Sequence, residues 1–326
     1  MDIKKGIVSI IIVNYNTKDL LRNCLLSLKE FNYEIIVIDN ASTDGSISMV
    51  KCEFPKITLL ENKENLGFGK ANNQGMRIAG GKYIMLLNSD TIVKPTAINK
   101  MVEFMEKHPD IGLLGPRLLN DDSSIQPSVS TFPNLWYVFL RMFRLRQLKR
   151  IFPSKLFKNI AISGILGYTI KSYFQSEEDN PLEVDFVSGA CMLIRKEVIE
   201  KVGMFDENFF MYVEDLDFCK RIKKAGWEIC YYPLAEVIHL GGKSSGGTFR
   251  DYSPVSYQSL YYYFRKHHGR TYEFMVRFIV VTALLLNVLI LSLLYLFTRK
   301  KEIKKNLISY LEIIRISFEK YGIFEK

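Results

Sequence analysis

The N-terminal half of the chain alternates between two spacings of apolar residues. Ile7–Val13 is an unbroken apolar, β-branched run, residues 19–31 carry apolar positions at helical spacing, 34–38 form a second apolar run, and 45–54 a second helical pattern. Residues 57–60, 68–79 and 83–87 repeat the alternation. Short apolar runs without polar alternation are strands buried on both faces, and the helical stretches between them are crossovers, so the pattern predicts a parallel α/β sheet. Three of the strands end abruptly in polar residues: NYN at 14–16, DNASTD at 39–44 and NSD at 88–90. Turn chemistry alone explains one such cluster, because Asn, Ser and Asp bond their own backbone. Three at equivalent ends point to a ligand crevice, since open α/β sheets bind ligands outside the carboxyl ends of their strands.

The second half adds carboxylates and a further strand. Glu214, Asp215 and Asp217 lie at the start of a helical pattern that ends at Gly226, and CYYPLAEVIH (230–239) reads as a strand ending in His239. Acidic residues in a first helical turn complement the helix dipole, which is one sufficient reason for the cluster. The neighbouring Phe209, Phe210, Tyr212 and Phe218 supply another, because aromatic side chains desolvate a carboxylate and suit it to act as a base on a hydroxyl.

Beyond residue 250 the pattern changes again. Phe278–Phe297 is 20 residues without a charge, long enough at about 1.5 Å per residue to match a hydrocarbon core of roughly 30 Å. A buried core helix is the alternative. Basic residues flank the run on both sides, so the positive-inside rule gives no orientation. Ile303, Leu307, Tyr310, Leu311, Ile314 and Phe318 then recur at helical spacing, as in an amphipathic helix lying along a membrane. The expected organisation is therefore a domain over 1–250, with a basic aromatic insertion at 134–176, and a C-terminal region over 251–326. The latter comprises an apolar helix at 274–297 and a tail at 303–320.

Charge and cysteine usage refine this picture. The net charge is +9, and residues 141–158 hold seven basic residues and no acidic one, interleaved with apolar and aromatic side chains. That mixture suits an anionic membrane surface or a solvated face. No nucleic-acid motif accompanies it, so nucleic acid is not an expected partner. The five cysteines are widely spaced with no C-x-x-C pair, which fits a reducing compartment. The N-terminal apolar run is too short for a signal peptide and ends without a small-residue cleavage site. Two nucleotide motifs fail: the GKS at 242–244 has Val237 where a phosphate-binding loop needs glycine, and GFGKAN (67–72) has Asn72 at the third glycine position.

Seven segments in order, VSIIIVNYN, VIDNASTDGS, ENLGFGKANNQG, YIMLLNSDT, VSGACMLIRKE, MFDENFFMYVEDLDFCKR and VIHLGG, resemble the inverting family-2 glycosyltransferases. The resemblance covers residues 6–250 and is greatest to the bacterial rhamnosyltransferase branch. It implies a Rossmann-like nucleotide-sugar-binding sheet, the type-A glycosyltransferase fold, followed here by a C-terminal membrane-associated helical region. Residue by residue, it implies that Val13 and Tyr15 line a nucleoside pocket in which Asp39 or Asn40 reads the base edge. Asn65, Gly67, Phe68 and Asn72 would close over the nucleotide and sugar. Asn88, Ser89 and Asp90 match the Asp-x-Asp motif, with Asp90 on a divalent cation. Asn88 replaces the first Asp, so it can bond a ribose hydroxyl but removes an anionic metal ligand. His239 matches a histidine that some members use as a further ligand, and an imidazole shifts the choice between Mg2+ and Mn2+ toward Mn2+.

The implied chemistry is a single displacement: Asp215, or alternatively Glu214, takes the proton of an acceptor hydroxyl as a nucleoside diphosphate departs. Glu214 and Asp217 would orient the base or bind acceptor hydroxyls. The donor expected first is dTDP-rhamnose and second a UDP-hexose, with a lipid-linked saccharide as acceptor. The enzyme would be attached to the inner membrane, its catalytic domain cytoplasmic. A nucleotidyltransferase acting on a sugar phosphate would share the fold and cation but needs basic residues around a triphosphate, which no motif here supplies. A non-catalytic membrane scaffold would not require Asp90, Asp215 and His239 together.

Overall fold

A computed structural model describes residues 6–29, 33–143, 179–241 and 253–319. Of the insertion expected at 134–176, only 134–143 is described, and the basic stretch lies outside the described residues from 144 onward. The chain divides into two compact units. Among the described residues, the first unit comprises 6–29, 33–132, 179–210 and 214–241, and the second comprises 133–143, 211–213 and 253–319. The division departs from a single break at residue 250, because 133–143 and 211–213 join the C-terminal helices.

The first unit opens β1 (Val8–Asn14), α1 (Lys18–Ser27), β2 (Glu34–Asp39), α2 (Ser46–Glu53), β3 (Thr58–Glu61), α3 (Phe68–Ile78) and β4 (Tyr83–Asn88). It continues with β5 (Thr91–Val93), α4 (Ala97–Lys107), β6 (Ile111–Leu119), β7 (Ile125–Gln126) and β8 (Val129–Ser130). After α5 (Leu135–Met142), which belongs to the second unit, come β9 (Leu182–Glu183), β10 (Phe186–Val187), β11 (Cys191–Arg195), α6 (Lys196–Val202), α7 (Glu214–Lys224) and β12 (Glu228–His239). A ten-stranded sheet runs β3-β2-β1-β4-β11-β6-β12-β5, with β7 on β6 and β9 on β12.

The expectation of a parallel sheet holds for β3-β2-β1-β4 and is corrected beyond them, where β11 runs antiparallel to both β4 and β6. The reason is local: the chain turns at residues 188–190 beside the carboxyl end of β4 and runs back along it. Between β1 and β4 the strand order reverses direction, and a crevice opens at such a switch point.

The unbroken apolar runs follow from burial on both faces. Ile10 and Ile12 of β1 pack with Leu21 and Leu25 of α1, whereas Ile11 between them packs with Ala71 and Met76 of α3. Successive strand residues point to opposite faces, so a strand covered on both sides has no polar alternation. All five cysteines are free, and burial pushes the Cys24 thiol up to about 12, which makes it inert.

The second unit contains α5, α8 (Pro254–His268), α9 (Arg270–Thr298) and α10 (Lys301–Ile316). Helix α9 is long and apolar enough to cross a membrane, with 17% of its apolar window buried. Val276, Val280, Ala283 and Leu284 face inward, while Leu285, Leu289, Ile290, Leu293 and Phe297 are exposed. Arg299, at φ 51°, ends α9 and reverses the chain into α10. The end of α10 returns to the first turns of α9: Arg277 Nη1 donates to Ser317 O at 2.6 Å and its Nε to Glu273 Oε1 at 2.8 Å. Its guanidinium covers the Tyr261 ring at 4.5 Å, and Tyr261 Oη shares a 2.6 Å hydrogen bond with Ser317 Oγ. A cation on the last carbonyls of a helix also opposes the negative end of its dipole.

Gly75 measures how closely α3 lies on the sheet. A Cβ there would meet Ile11 Cγ2 at 2.6 Å and Ile38 Cδ1 at 3.0 Å. Alanine would gain about 1 kcal/mol in helix propensity, but the obstructing methyl belongs to a β-branched, fully buried side chain with little freedom to move. Gly75→Ala should therefore destabilise the protein by about 1–3 kcal/mol, read as a lower urea midpoint; an unchanged or higher midpoint would contradict this packing.

Candidate active site

The polar strand ends converge on one crevice. Asn14, the last residue of β1, donates from Nδ2 to Asp39 Oδ2 at 2.8 Å and to Ser42 Oγ at 3.0 Å. Asp39 Oδ1 accepts from Ser42 N at 2.7 Å, so the carboxylate shapes the turn after β2. Thr17 Oγ1 donates to Asn14 Oδ1 at 2.6 Å and lies 2.9 Å from Ser89 Oγ, which closes the gap between the ends of β1 and β4. Asp44 holds the starts of both flanking helices, accepting from Lys18 N at 2.7 Å and from Ser46 N at 3.0 Å. Val13 is half-buried and Tyr15 is 44% exposed at the rim.

Asn40 ties this floor to the next loop. Its Nδ2 donates to Gly67 O at 3.1 Å and to Asn65 Oδ1 at 3.3 Å, and its Oδ1 accepts from Asn62 Nδ2 at 2.8 Å. Asn65 Oδ1 also accepts from Gly67 N at 2.9 Å. Gly67 has φ +81° and no room for a side chain, since a Cβ would lie 2.1 Å from Phe210 O. The same carbonyl accepts from Phe68 N at 2.9 Å. The glycine-containing loop is thus pinned to the segment just before the acidic helix, and Asn72, donating to Phe68 O at 2.9 Å, secures its first helical turn.

Strand register brings Asp90 and His239 together. On the antiparallel pair of β12 and β5, His239 lies opposite Thr91, and Leu240 N donates to Asp90 O at 2.9 Å. His239 Nε2 is 3.3 Å from Asp90 Oδ1 and 3.4 Å from Asn88 Nδ2. Its Nδ1 is 2.6 Å from Gln126 Oε1. Adjacent ligands on a small octahedral cation are about 3 Å apart, so the imidazole nitrogen and carboxylate oxygen fit two neighbouring positions of Mg2+ or Mn2+. Among the described residues no third His, Cys, Asp or Glu joins them.

The 188–190 turn joins this end of β4 to the acidic helix. Ala190 O accepts from Asn88 N at 3.0 Å, and Gly189 N donates to Asp215 Oδ2 at 3.0 Å. Leu216 N donates to Asp215 Oδ1 at 2.9 Å, so both carboxylate oxygens are held by main-chain amides. Glu214 is buried beside Gly69 of α3. Asp217 points elsewhere: fully buried, it accepts from Arg221 Nε at 2.9 Å, and Arg221 in turn holds Val202 O and Met204 O, each at 2.7 Å. Asp217 is two positions beyond Asp215, a turn of roughly 200° about a helix, so their side chains leave opposite faces. The chain enters α7 through Tyr212 and Val213 at φ 68° and 71°. A β-branched residue in the left-handed region stores strain, and such strain gathers at functional sites.

Gln126 and Thr17 also bond to residues of this crevice, and no sequence motif singled them out.

The family described as Glycosyl transferase family 2 matches residues 9–203. A Mycobacterium tuberculosis (strain ATCC 25618 / H37Rv) protein named N-acetylglucosaminyl-diphospho-decaprenol L-rhamnosyltransferase is 29% identical over 283 residues, 82% of this chain and 84% of that one. The low-salt glycan biosynthesis hexosyltransferase Agl10 of Haloferax volcanii is 26% identical over 236 residues, 71% of this chain and 66% of that one. Among solved structures, the mannosyltransferase PcManGT from Pyrobaculum calidifontis, in complex with GDP-Man and Mn2+, aligns with a TM-score of 0.54 at 16% identity, covering 95% of this chain and 85% of that one. GalNAc-T7 with UDP, GalNAc and Mn2+ aligns with a TM-score of 0.51 at 16% identity, over 73% of this chain and 44% of that one. At such identities the structural likeness concerns the fold alone.

The fixed contact between Gly67 and Phe210 can be tested directly. Gly67→Ala should break the hydrogen bond from Phe68 N to Phe210 O, lower stability by about 1–3 kcal/mol and speed amide exchange over residues 65–68. Unchanged exchange there would contradict the docking of this loop.

Proposed function

The chain belongs to glycosyl transferase family 2 and is a glycosyltransferase; from that premise we propose that it transfers rhamnose from a nucleoside-diphosphate sugar to a lipid-linked saccharide by a cation-assisted, inverting single displacement. The observation that carries this reading is the 188–190 turn, which bonds Asn88 at the end of β4 on one side and Asp215 on the other. On this reading Asp215 would serve as base beside the strand end where the diphosphate would lie.

Each residue then has a task. Val13 and Tyr15 flank the nucleoside, and the Asn14, Thr17, Asp39 and Ser89 network keeps the floor beneath it rigid. The pinned loop at Asn65, Gly67 and Phe68 covers the sugar, braced by Asn40 and Asn72. Asn88 offers its amide to a ribose hydroxyl. Asp90 and His239 would hold Mn2+ or Mg2+, which when bound supplies Lewis-acid stabilisation for charge growing on the diphosphate. Asp215 takes the acceptor's proton, and the amides of Gly189 and Leu216 keep its carboxylate aimed while it does so. Glu214 is the alternative base. Asp217 braces α7 through Arg221 and does not meet the acceptor.

The donor favoured is dTDP-rhamnose, with UDP-hexoses second, and support comes from the rhamnosyltransferase relative. That relative's name also carries a diphospho-decaprenol acceptor, which supports a lipid-linked saccharide here. The second unit would attach to the cytoplasmic face of the membrane. The exposed apolar side of α9 enters the headgroup boundary, and Arg299, Lys300, Lys301, Lys304 and Lys305 meet anionic lipid. Helix α10 carries Glu302, Lys304, Lys305, Glu312 and Arg315, too many charges to cross a hydrocarbon core. Its end is also bonded to Arg277 near the start of α9. The two helices therefore form a hairpin on one side of the membrane, which reconciles the basic tail with the positive-inside tendency.

Asp215→Asn should retain the fold and donor binding while slowing transfer by about 10²-fold or more; near-normal turnover would move the base to Glu214. Asp90→Ala should abolish manganese-dependent tightening of nucleotide binding in calorimetry, and unchanged affinity would remove Asp90 from the cation. Glu312→Cys should resist an impermeant thiol reagent in intact cells and react after permeabilisation. Labelling in intact cells would overturn the hairpin.

A further inference from the structure

Gln126 lies outside every motif in the chain, yet its side-chain amide is fixed at both ends. As the last residue of β7 it pairs with Leu118 of β6. Its Nε2 donates to Asn120 Oδ1 at 2.9 Å and to the main-chain carbonyl of His239 at 3.2 Å. Gly241, at φ +48°, packs close by: a Cβ there would lie 3.1 Å from the same Nε2. A main-chain carbonyl can only accept, so the end of the amide facing His239 O must be the NH2. The other end, Oε1, then faces His239 Nδ1 at 2.6 Å. An amide oxygen can only accept as well, so Nδ1 must carry the proton. In the neutral imidazole, the lone pair is thereby left on Nε2, the nitrogen 3.3 Å from Asp90 Oδ1.

We infer that Gln126 is a positioning residue that fixes the Nδ1–H tautomer and orientation of His239, and through that nitrogen makes the cation site prefer Mn2+ over Mg2+. The role rests on Asp90 and His239 being cation ligands, as proposed here. Ligating imidazoles are oriented by the acceptor on their other nitrogen, and losing such an acceptor typically weakens metal binding by about 10–100-fold. Mg2+ relies more on oxygen donors than Mn2+ does, so it loses less when the imidazole turns away. A two-residue strand has no periodicity to mark it in the sequence, and only the closed hydrogen-bond circuit of Gln126, Asn120 and His239 reveals the part it plays.

The test compares full-length wild type, Gln126→Leu, Gln126→Glu and His239→Ala in detergent. Mn2+ binding is measured by electron paramagnetic resonance and Mg2+ binding by calorimetry, both with a nucleoside diphosphate present, and cation-free melting temperatures check folding. Gln126→Leu should lose about 10-fold or more in Mn2+ affinity, with a smaller loss for Mg2+, so that its Mn2+/Mg2+ ratio falls toward that of His239→Ala. Gln126→Glu keeps an acceptor for Nδ1–H and should retain the Mn2+ preference. If His239→Ala binds Mn2+ like wild type, His239 is not a ligand and the underlying reading fails. If His239→Ala is impaired while Gln126→Leu matches wild type, only the role of Gln126 is overturned. A separate measurement needs no Gln126 variant: nitrogen NMR of 15N-histidine-labelled wild type above about pH 8, with His239 assigned by its loss in His239→Ala. An Nδ1–H signal is expected, and an Nε2–H tautomer would overturn the inference.

Discussion

Side chains on a strand alternate with a period of two, so the pairing of His239 with Thr91 decides which way the imidazole turns. A slip of one residue would send it to the opposite face of the sheet, away from Asp90. Several features fix that register. Between Tyr232 and Glu236 the pairing of β12 with β6 shifts, and the extra residues, including Pro233, are accommodated there. Pro has no N–H for a ladder, so an irregularity is where a strand tolerates it. Just beyond, Lys94 N donates to Glu236 O at 3.3 Å and Lys94 Nζ pairs with Glu236 Oε2 at 2.8 Å, which pins β12 to the residue following β5. The approach of His239 to Asp90, the circuit through Gln126 and the hydrogen bond from Leu240 N to Asp90 O all depend on this alignment.

Asp215, the proposed base, depends on a second constraint of the same kind. Because β11 returns antiparallel beside β4, the turn that precedes it lies at the carboxyl end of β4 and not at the far edge of the sheet. Gly189 in that turn approaches Asp215 so closely that a Cβ would lie 3.1 Å from its Oδ2. Backbone amides, unlike flexible side chains, cannot swing away, so the carboxylate is preorganised before any acceptor arrives. The N-terminus of α7 lends its dipole to the Asp215 carboxylate, which the proposed reaction requires to start ionised.

The elements of the first four strands were legible in the sequence because burial on both faces leaves an unbroken apolar run, and the crevice was legible because each run stops in polar residues. Asp90, His239 and Asp215 could be picked out from their motifs. Their mutual arrangement could not, since it follows from pairings between segments more than a hundred residues apart. The antiparallel course of β11 was likewise invisible, because Cys191–Arg195 is equally apolar in either direction. Asp39 and Asn40, which the resemblance assigns to the base edge, also bond neighbouring loops and shape the floor, contacts that no motif displays. Asp217 looked like a partner of Asp215 in one dimension and is turned away by helical geometry in three. Tyr310, one residue of the apolar stripe expected to meet a membrane, is instead buried with Ile313 and Ile316 on the inner side of α10.

A single displacement driven by one base has a stereochemical signature that no binding measurement carries. Proton NMR of the anomeric centre during transfer from a nucleotide sugar to an acceptor reads it directly. The geometry of Asp215 and the cation pair predicts a product of inverted configuration together with a free nucleoside diphosphate. A product of retained configuration would require a covalent or front-face route for which Asp215 is not the base, and would contradict the account.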